Sequence, residues 1–253
     1  KNEDAIIQYL LKSLNIPTVK FVEIGTQNYE TCNTRYIFET MRSNGLIVDQ
    51  MSNLENEVKR IISFWQNELK IENTTVSSKN INEILDKHDF NNNLDIFSID
   101  IDGVDYWVIK KLKKNLAKIF VAEYNPFFGP DLEITVPDIE NFDRTKYHYS
   151  YLCWGVSLKA LVNLMKQKNY TYVGSNSFRH NAFFVSNDQI EDLKISIPNQ
   201  DNLSKYTDAT FKDSRDKNGK LSYVKPHEVL REIENCEVFN IPKNELCKIK
   251  DII

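Results

Sequence analysis

Two carboxylates stand one residue apart at the end of an apolar run in the segment DIFSIDIDGVDYWVIKKL, residues 95–112. Side chains two positions apart on a β-strand lie on the same face, so Asp100 and Asp102 are predicted to point the same way at the carboxyl end of a strand. Glu123 and Asn125 are spaced in the same way at the end of the next apolar run, KIFVAEYN. If the two strands are neighbours, about 4.8 Å apart, these oxygen-bearing side chains converge on one point.

A cluster of this kind favours a metal site, because like charges close together are costly unless a cation compensates them. Mg²⁺ and Mn²⁺ both accept oxygen ligands, and the predicted ligands are Asp102, Glu123 and Asn125. A bound ion could polarise a substrate hydroxyl and lower its pKa. A structural role stays open as the alternative, because Asp102 could cap the following helix with Asp105 in its first turn.

The elements that must position these residues follow from hydrophobic periodicity. Apolar runs alternate with helical patterns between residues 20 and 125, which is typical of a mostly parallel sheet covered by helices on both faces. The predicted strands are VKFVEIG, GLIVD, NTTVSS, LDIFSID, KIFVAEYN and an antiparallel pair, YTYVGSN and NAFFVSN. The predicted helices are an amphipathic one carrying Ile6, Ile7, Leu10, Leu11 and Leu14, then 36–43, 54–69, 81–87, 105–114, SLKALVNLMKQKN and a last one in KPHEVLREIENC. Residues 126–151 predict a long ordered loop, rich in proline and aromatic residues.

Composition narrows the class of protein. The chain has 253 residues, of which 41% are hydrophobic and 27% charged, and no apolar run approaches the roughly 18 residues of a membrane span. A net charge of -4 without a basic stripe argues against nucleic-acid binding. The cysteines lack CxxC spacing, so we expect reduced thiols in a cytoplasmic protein, with neither zinc nor disulfides: Cys32, Cys153, Cys236 and Cys247. The first residues predict a helix and not a signal peptide, and because the chain begins with Lys we expect a native N-terminal extension to be missing.

A second candidate site lies at the ends of the first two strands. The segment KFVEIGTQNYETCNTRY places Glu23 and Gly25 at a strand end, where open α/β sheets bind ligands and where a glycine lets the backbone approach closely. Asp49 ends the next strand, GLIVDQ, at a position that suits hydrogen bonding to both ribose hydroxyls. The dinucleotide fingerprint GxGxxG is absent, which weakens a nicotinamide-dependent oxidoreductase as the alternative. A nucleoside-binding domain without catalysis is the other alternative.

The glycine-poor first loop, the acidic second strand and the terminal antiparallel hairpin together resemble the class I S-adenosylmethionine-dependent methyltransferases. Within residues 20–187, the motifs FVEIGT, LIVDQ, IDIDGVDYWVIK, AEYNPFFGP, GVSLKALVNLMKQKNYTYVGSN and NAFFV are similar to an FkbM-like group found near polysaccharide biosynthesis genes. The segment TQNYETCN departs from that family's first motif, because it lacks the later glycine.

The resemblance implies a doubly wound, mostly parallel seven-stranded α/β sheet with its last strand antiparallel. It implies S-adenosylmethionine as cofactor and O-methylation of a sugar hydroxyl, on a nucleotide-linked sugar or a surface (capsular) polysaccharide precursor. We expect residues 1–190 to form the methyltransferase domain with its N-terminal helix, and residues 191–253 to form an appendage packed on it. We expect a small-molecule substrate as partner and a possible homo-oligomer.

The same resemblance implies which residues would bind the cofactor. Glu23 and Gly25 would line its methionine and ribose part, Asp49 would bind its ribose hydroxyls, and the segment 77–81 would flank its adenine. The full predicted cofactor-binding set is Glu23, Gly25, Thr26, Asp49, Gln50, Ser77, Asn80 and Asp100. As an alternative to a metal-site role, Asp100 would orient the cofactor's amino group or a nearby backbone.

Methyl transfer to a hydroxyl also needs a proton acceptor, for which histidine is the usual group near neutral pH. His148 in the aromatic loop and His180 in the hairpin connection are both candidates, although each alone is more often a surface residue. His180 is preferred, with Asp100 and Asp105 as rivals.

Overall fold

The computed structural model describes residues 2–63, 67–209 and 213–253. The strands are β1 Thr18–Ile24, β2 Arg42–Asp49, β3 Glu68–Asn73, β4 Leu94–Ile99, β5 Ala117–Glu123, β6 Ile134–Thr135, β7 Tyr170–Ser175, β8 Asn181–Ser186, β9 Glu237–Asn240 and β10 Glu245–Lys248. The helices are α1 Glu3–Ser13, α2 Arg35–Thr40, α3 Leu54–Ile61, α4 Ile81–Lys87, α5 Asp105–Lys111, α6 Arg144–Tyr147, α7 Leu158–Gln167, α8 Ser204–Thr207 and α9 Val229–Glu232.

Seven strands form one sheet in the order β3-β2-β1-β4-β5-β8-β7. The strands from β1 to β5 run parallel, and β8 runs antiparallel to both of its neighbours, β5 and β7. The predicted α/β class and the mostly parallel seven-stranded sheet with an antiparallel strand near its end are confirmed. A smaller antiparallel sheet joins β10, β9 and β6. Among the described residues, every helix is too short or too polar to cross a bilayer.

Each face of the large sheet is covered by its own layer of helices. On one face, α1, α2 and α3 bury side chains such as Leu10, Phe38 and Val58 against β1 and β5. On the other face, α4, α5 and α7 bury Ile84, Ile109 and similar side chains against the same strands. Because buried strands need both faces covered, their sequences are nearly continuous apolar runs, which is why periodicity located them.

The third strand is where the sequence prediction was wrong. The strand was predicted at NTTVSS, residues 73–78, and the helix before it over 54–69, but α3 ends at Ile61 and β3 spans Glu68–Asn73. The segment ELKIEN forms an edge strand with partly exposed side chains, so it lacks the apolar run of a central strand. Residues 64–66 of the predicted helix lie outside the described residues.

The other predicted helices and strands are present, most of them with different lengths, whereas α8, β9 and β10 were not predicted. The helix predicted at 81–87 is α4, while α2, α5 and α7 are shorter than predicted. The predicted loop 126–151 contains a 3-10 turn at Pro126–Phe128, β6 and α6. The helix predicted in KPHEVLREIENC is reduced to a 3-10 turn and the four residues of α9, because the chain turns there into the β9–β10 hairpin.

Candidate functional site

The carboxyl ends of β1, β2, β4 and β5 open into one cavity of about 760 Å³. Of the predicted cofactor-binding residues, Glu23, Gly25, Thr26, Asp49, Gln50, Ser77 and Asp100 line it. Parallel strands end at the same edge of the sheet, so residues far apart in sequence meet there.

Gly25 lets two strand ends approach each other closely. Its φ of +82° lies in the left-handed region, and a Cβ at this position would lie 1.8 Å from the backbone oxygen of Asp100. Its N–H donates to the Val48 carbonyl at 2.9 Å. The glycine is therefore required by contact between the β1 and β4 ends, and this contact forms the floor of the cavity.

Glu23 lines the cavity, and its carboxylate accepts hydrogen bonds from the loop that follows β1. Its carboxylate accepts the N–H groups of Asn33 and Thr34 at 2.8 and 2.9 Å, together with the Thr34 hydroxyl. Burial raises the pKa of Glu23, and these hydrogen bonds oppose the rise. The main role visible for Glu23 is to fix the loop that follows β1.

Asp49 is held at the end of β2 by two backbone donors. Its Oδ2 accepts the N–H of Gln27 and its Oδ1 accepts that of Met51, both at 2.7 Å. A carboxylate oxygen can accept more than one hydrogen bond, so both oxygens keep capacity for a ligand's hydroxyl groups. Gln27, which the sequence did not single out, ties the loop after β1 to this carboxylate.

Asn80 supports the cavity wall without lining it. Its Oδ1 accepts from the Ser77 N–H at 2.8 Å and from the Ser77 hydroxyl at 3.1 Å, and its Nδ2 donates to the Thr75 carbonyl. Ser77 lines the cavity, and Asn80 fixes the turn that presents it, so we propose a supporting role for Asn80 in place of the predicted cofactor contact.

Three carboxylates converge beyond β4 and β5. One oxygen from each of Asp100, Asp102 and Glu123 lies within 4.8 Å of the others. The predicted adjacency of the two strands produces this arrangement, since β4 and β5 pair in parallel up to Ile99 and Ala122. Three hard oxygen donors at this spacing fit a divalent cation such as Mg²⁺ or Mn²⁺.

Asn125 follows β5 and is hydrogen-bonded within the chain. It is fully buried, and its Nδ2 donates to the Leu152 and Trp154 carbonyls at 3.0 Å each. Its Oδ1 accepts the Phe127 N–H at 3.0 Å, which caps the 3-10 turn after β5. Because capping and the 152–154 segment engage its polar atoms, we propose a structural role for Asn125 in place of the predicted metal ligation.

Asp105 also lies outside the cavity. It is 1% exposed and accepts the N–H groups of Ile101 and Gly103, each at 3.0 Å. Burial, followed by the charge of Asp100, raises the pKa of Asp105 to about 7. In place of the predicted catalytic role, we propose that Asp105 is a positioning residue for the loop that carries Asp102.

Arg144 is a cavity residue that the sequence did not single out. It lies on α6, its Nη1 is 2.7 Å from Oδ1 of Asp102, and its guanidinium lies 5.8 Å from the ring centre of Trp154. The neighbouring Phe142 packs on Gly103, where a Cβ would come within 2.5 Å of the ring. The sequence contains no motif that indicates this placement. Arg144 lies near the end of β4 because a long loop after β5 brings α6 back to that end of the sheet. Asp102 does not cap α5, because Val104 is the residue at the N-cap of that helix.

His180 is the histidine that lines the cavity. Its N–H donates to Oδ1 of Asn176, and its carbonyl accepts the Tyr124 N–H at 2.8 Å, so the backbone at this position is fixed. The other candidate, His148, is not among the lining residues, and its Nδ1 lies 2.7 Å from the Ser150 hydroxyl. Burial lowers the pKa of His148.

Asn181, beside His180, links the cavity to the N-terminal helix. It pairs with Glu123 across β5 and β8 and is 3% exposed. Its Nδ2 donates to Oε1 of Glu3 at 3.3 Å, and Asn176 donates to the same oxygen at 2.9 Å. Glu3 of α1 therefore holds two side chains of the hairpin that borders the site.

Comparison with known proteins gives fold likeness only. No protein-family model and no curated protein matches the chain. Among solved structures, a S-adenosylmethionine-dependent methyltransferase from Clostridium acetobutylicum ATCC 824 is 9% identical with a TM-score of 0.42, over 73% of this chain and 90% of that one. The pyocyanin biosynthetic protein PhzM is 11% identical with a TM-score of 0.41, over 71% and 54%. M. capricolum TrmK, solved with S-adenosyl-homocysteine, is 12% identical with a TM-score of 0.37, over 70% and 65%. The chain therefore spans less than two thirds of the length of PhzM and of TrmK. Structural likenesses this distant do not indicate the function of the chain.

Proposed function

We propose that the chain is an S-adenosylmethionine-dependent O-methyltransferase that acts on a sugar hydroxyl of a nucleotide-linked sugar or a surface-polysaccharide precursor, assisted by Mg²⁺ or Mn²⁺. The observation that carries the proposal is the single cavity in which the β1 and β2 ends, with Gly25 and Asp49, adjoin the carboxylate cluster beyond β4 and β5. This adjacency supports the proposal of a cofactor half at the β1 and β2 ends beside a reaction half at the carboxylate cluster.

The cofactor half has the chemistry that a nucleoside needs. Asp49 offers two fixed carboxylate oxygens for vicinal ribose hydroxyls, and Gly25, which also lines the cavity, lets a ligand approach the backbone closely. Ser77 borders the part of the cavity assigned to the adenine. When bound, S-adenosylmethionine supplies a methyl group on a sulfonium, so the protein contributes mainly proximity and orientation.

The reaction half has the chemistry that a hydroxyl nucleophile needs. Asp100, Asp102 and Glu123 would hold the divalent ion, which lowers the pKa of a coordinated hydroxyl. His180 lines the same cavity and is the proposed acceptor of the hydroxyl proton. Asp105 keeps the loop that carries Asp102 in place through its two backbone hydrogen bonds.

The proposal is tested by incubating the chain with S-adenosylmethionine, Mg²⁺ and a panel of nucleotide-linked sugars, with mass spectrometry of the products. We expect one sugar to gain a single methyl group, and we expect Asp102→Asn to lower the rate by at least about tenfold, since a metal ligand matters at least as much as the groups that orient it. Glu83→Gln, an exposed carboxylate on α4, is the matched control and should retain the rate. Absence of methylation from the whole panel, with the cofactor demonstrably bound, would contradict the sugar assignment.

A further inference from the structure

Arg144 lines the cavity and has hydrogen-bond donors that the described part of the chain does not use. A guanidinium carries five N–H donors in a fixed fork. Nη1 forms the ion pair with Asp102, and one face of the group lies toward Trp154. Within 2–63, 67–209 and 213–253, Nε and Nη2 have no hydrogen-bond partner. The side chain is 24% exposed and lines the cavity.

The guanidinium is also held in position. Asp102 holds one end of it at 2.7 Å, and the Trp154 ring, whose centre lies 5.8 Å from the guanidinium carbon, is a cation–π partner on another side. The loop carrying α6 is tied down on its other side, where Ser78 donates to Asp138 at 2.7 Å and Lys79 pairs with Glu140 at 2.8 Å. An arginine fixed in this way loses little freedom when it binds a ligand, which favours recognition of an oxyanion.

The charges of the reaction half define which ligand suits it. Three carboxylates, those of Asp100, Asp102 and Glu123, converge in this region, and one guanidinium lies 2.7 Å from Asp102. A divalent ion together with Arg144 balances these three negative charges, so that the region does not repel an anion. Lys146 and Asp143, which also line the cavity, pair with each other at 2.9 Å and add no net charge.

We infer that Arg144 binds an oxyanion of the acceptor substrate, a phosphate or a carboxylate, and so restricts the acceptor to anionic sugars. This inference rests on the proposed methyltransferase function and deepens it. Phosphate would come from a sugar linked to a nucleoside diphosphate, and carboxylate from a uronic acid. Both present the paired oxygens that the arginine fork matches.

The test is calorimetric titration of three probes into the full chain loaded with S-adenosylhomocysteine, with equal free Mg²⁺ in both solutions. The probes are UDP-glucose, glucuronate and the uncharged methyl glucoside. We expect at least one anionic probe to bind and the methyl glucoside to bind much more weakly. Arg144→Met should weaken the anionic probe by about 10- to 100-fold, and Arg144→Lys by less, because lysine keeps the charge and loses the fork.

Controls separate this inference from the function on which it rests. Arg60→Met removes an exposed arginine of α3, which pairs with Glu57, and should leave the affinity for every probe unchanged. S-adenosylhomocysteine affinity should be the same in Arg144→Met as in the unaltered chain. If the anionic probes bind equally well to Arg144→Met, or do not bind while S-adenosylhomocysteine does, the inference is overturned and the methyltransferase proposal stands. If S-adenosylhomocysteine itself does not bind, the proposed function fails first. Whichever probe binds identifies the source of the oxyanion.

Discussion

Replacing Gly25 with alanine should damage the fold and the cavity together. The added Cβ would lie 1.8 Å from the Asp100 carbonyl oxygen, so the β1 and β4 ends would have to separate. A left-handed conformation costs a non-glycine residue about 1–2 kcal/mol, and overpacking typically costs about 1–3 kcal/mol. The free energy of unfolding should therefore fall by about 2–5 kcal/mol in Gly25→Ala.

Gly219→Ala is the matched control for this prediction. Gly219 is an exposed turn residue with a φ of +80°, and no heavy atom lies within 4 Å of the site of its Cβ, so only the conformational cost of about 1–2 kcal/mol applies. Urea unfolding of both variants measures the difference, and S-adenosylhomocysteine affinity should fall in Gly25→Ala alone. Equal destabilisation of the two variants would refute the idea that the contact between β1 and β4 requires this glycine.

Three further predictions concern buried polar groups. Because the pKa of Asp105 is raised to about 7, the folded state favours its protonated form, and its contribution to stability is lost as pH rises from the ordinary value of 3.8 towards 7. In urea unfolding, the stability of the unaltered chain relative to Asp105→Asn should fall by about 1–3 kcal/mol between about pH 5 and about pH 8. A pH-independent difference would contradict the raised pKa. Glu3→Ala leaves the amides of Asn176 and Asn181 without their acceptor and should cost about 1–3 kcal/mol in urea unfolding, whereas Glu3→Gln, which keeps an acceptor oxygen, should cost less. Asn125→Ala should lower the free energy of unfolding by about 2–4 kcal/mol, because it loses the cap and two further hydrogen bonds. Its Mn²⁺ affinity, measured by electron paramagnetic resonance, should stay unchanged. A weaker Mn²⁺ affinity would show that Asn125 is a metal ligand.

The parts of the fold that are buried on both sides were predictable from sequence. β1, β4 and β5 are continuous apolar runs because helices cover both faces of the sheet, and the polar residue at the end of each run marks the sheet edge. From that edge, the convergence of Asp100, Asp102 and Glu123 followed from strand spacing alone. The edge strand β3 was missed because its side chains are partly exposed, which removes the pattern on which the prediction depends.

The contributions of loops and caps could not be predicted in the same way. Arg144 reaches Asp102 through a long irregular segment whose path depends on tertiary contacts such as that between Phe142 and Gly103. The sequence predicted Asn125 as a metal ligand because it follows Glu123 by two positions, which is the spacing of one face of a strand. The chain instead leaves the strand after Glu123, and the side chain of Asn125 caps the 3-10 turn at Pro126–Phe128.

The most direct test of the account is calorimetric titration of S-adenosylhomocysteine into the purified chain and into Asp49→Ala, with Glu83→Ala as an exposed control. The account predicts binding to the unaltered chain and to Glu83→Ala, and a loss of at least about tenfold in Asp49→Ala, since hydrogen bonds to a charged group are typically worth about 1.5–3 kcal/mol. Failure of the unaltered chain to bind S-adenosylhomocysteine would contradict the assignment of the cavity at the β1 and β2 ends to this cofactor.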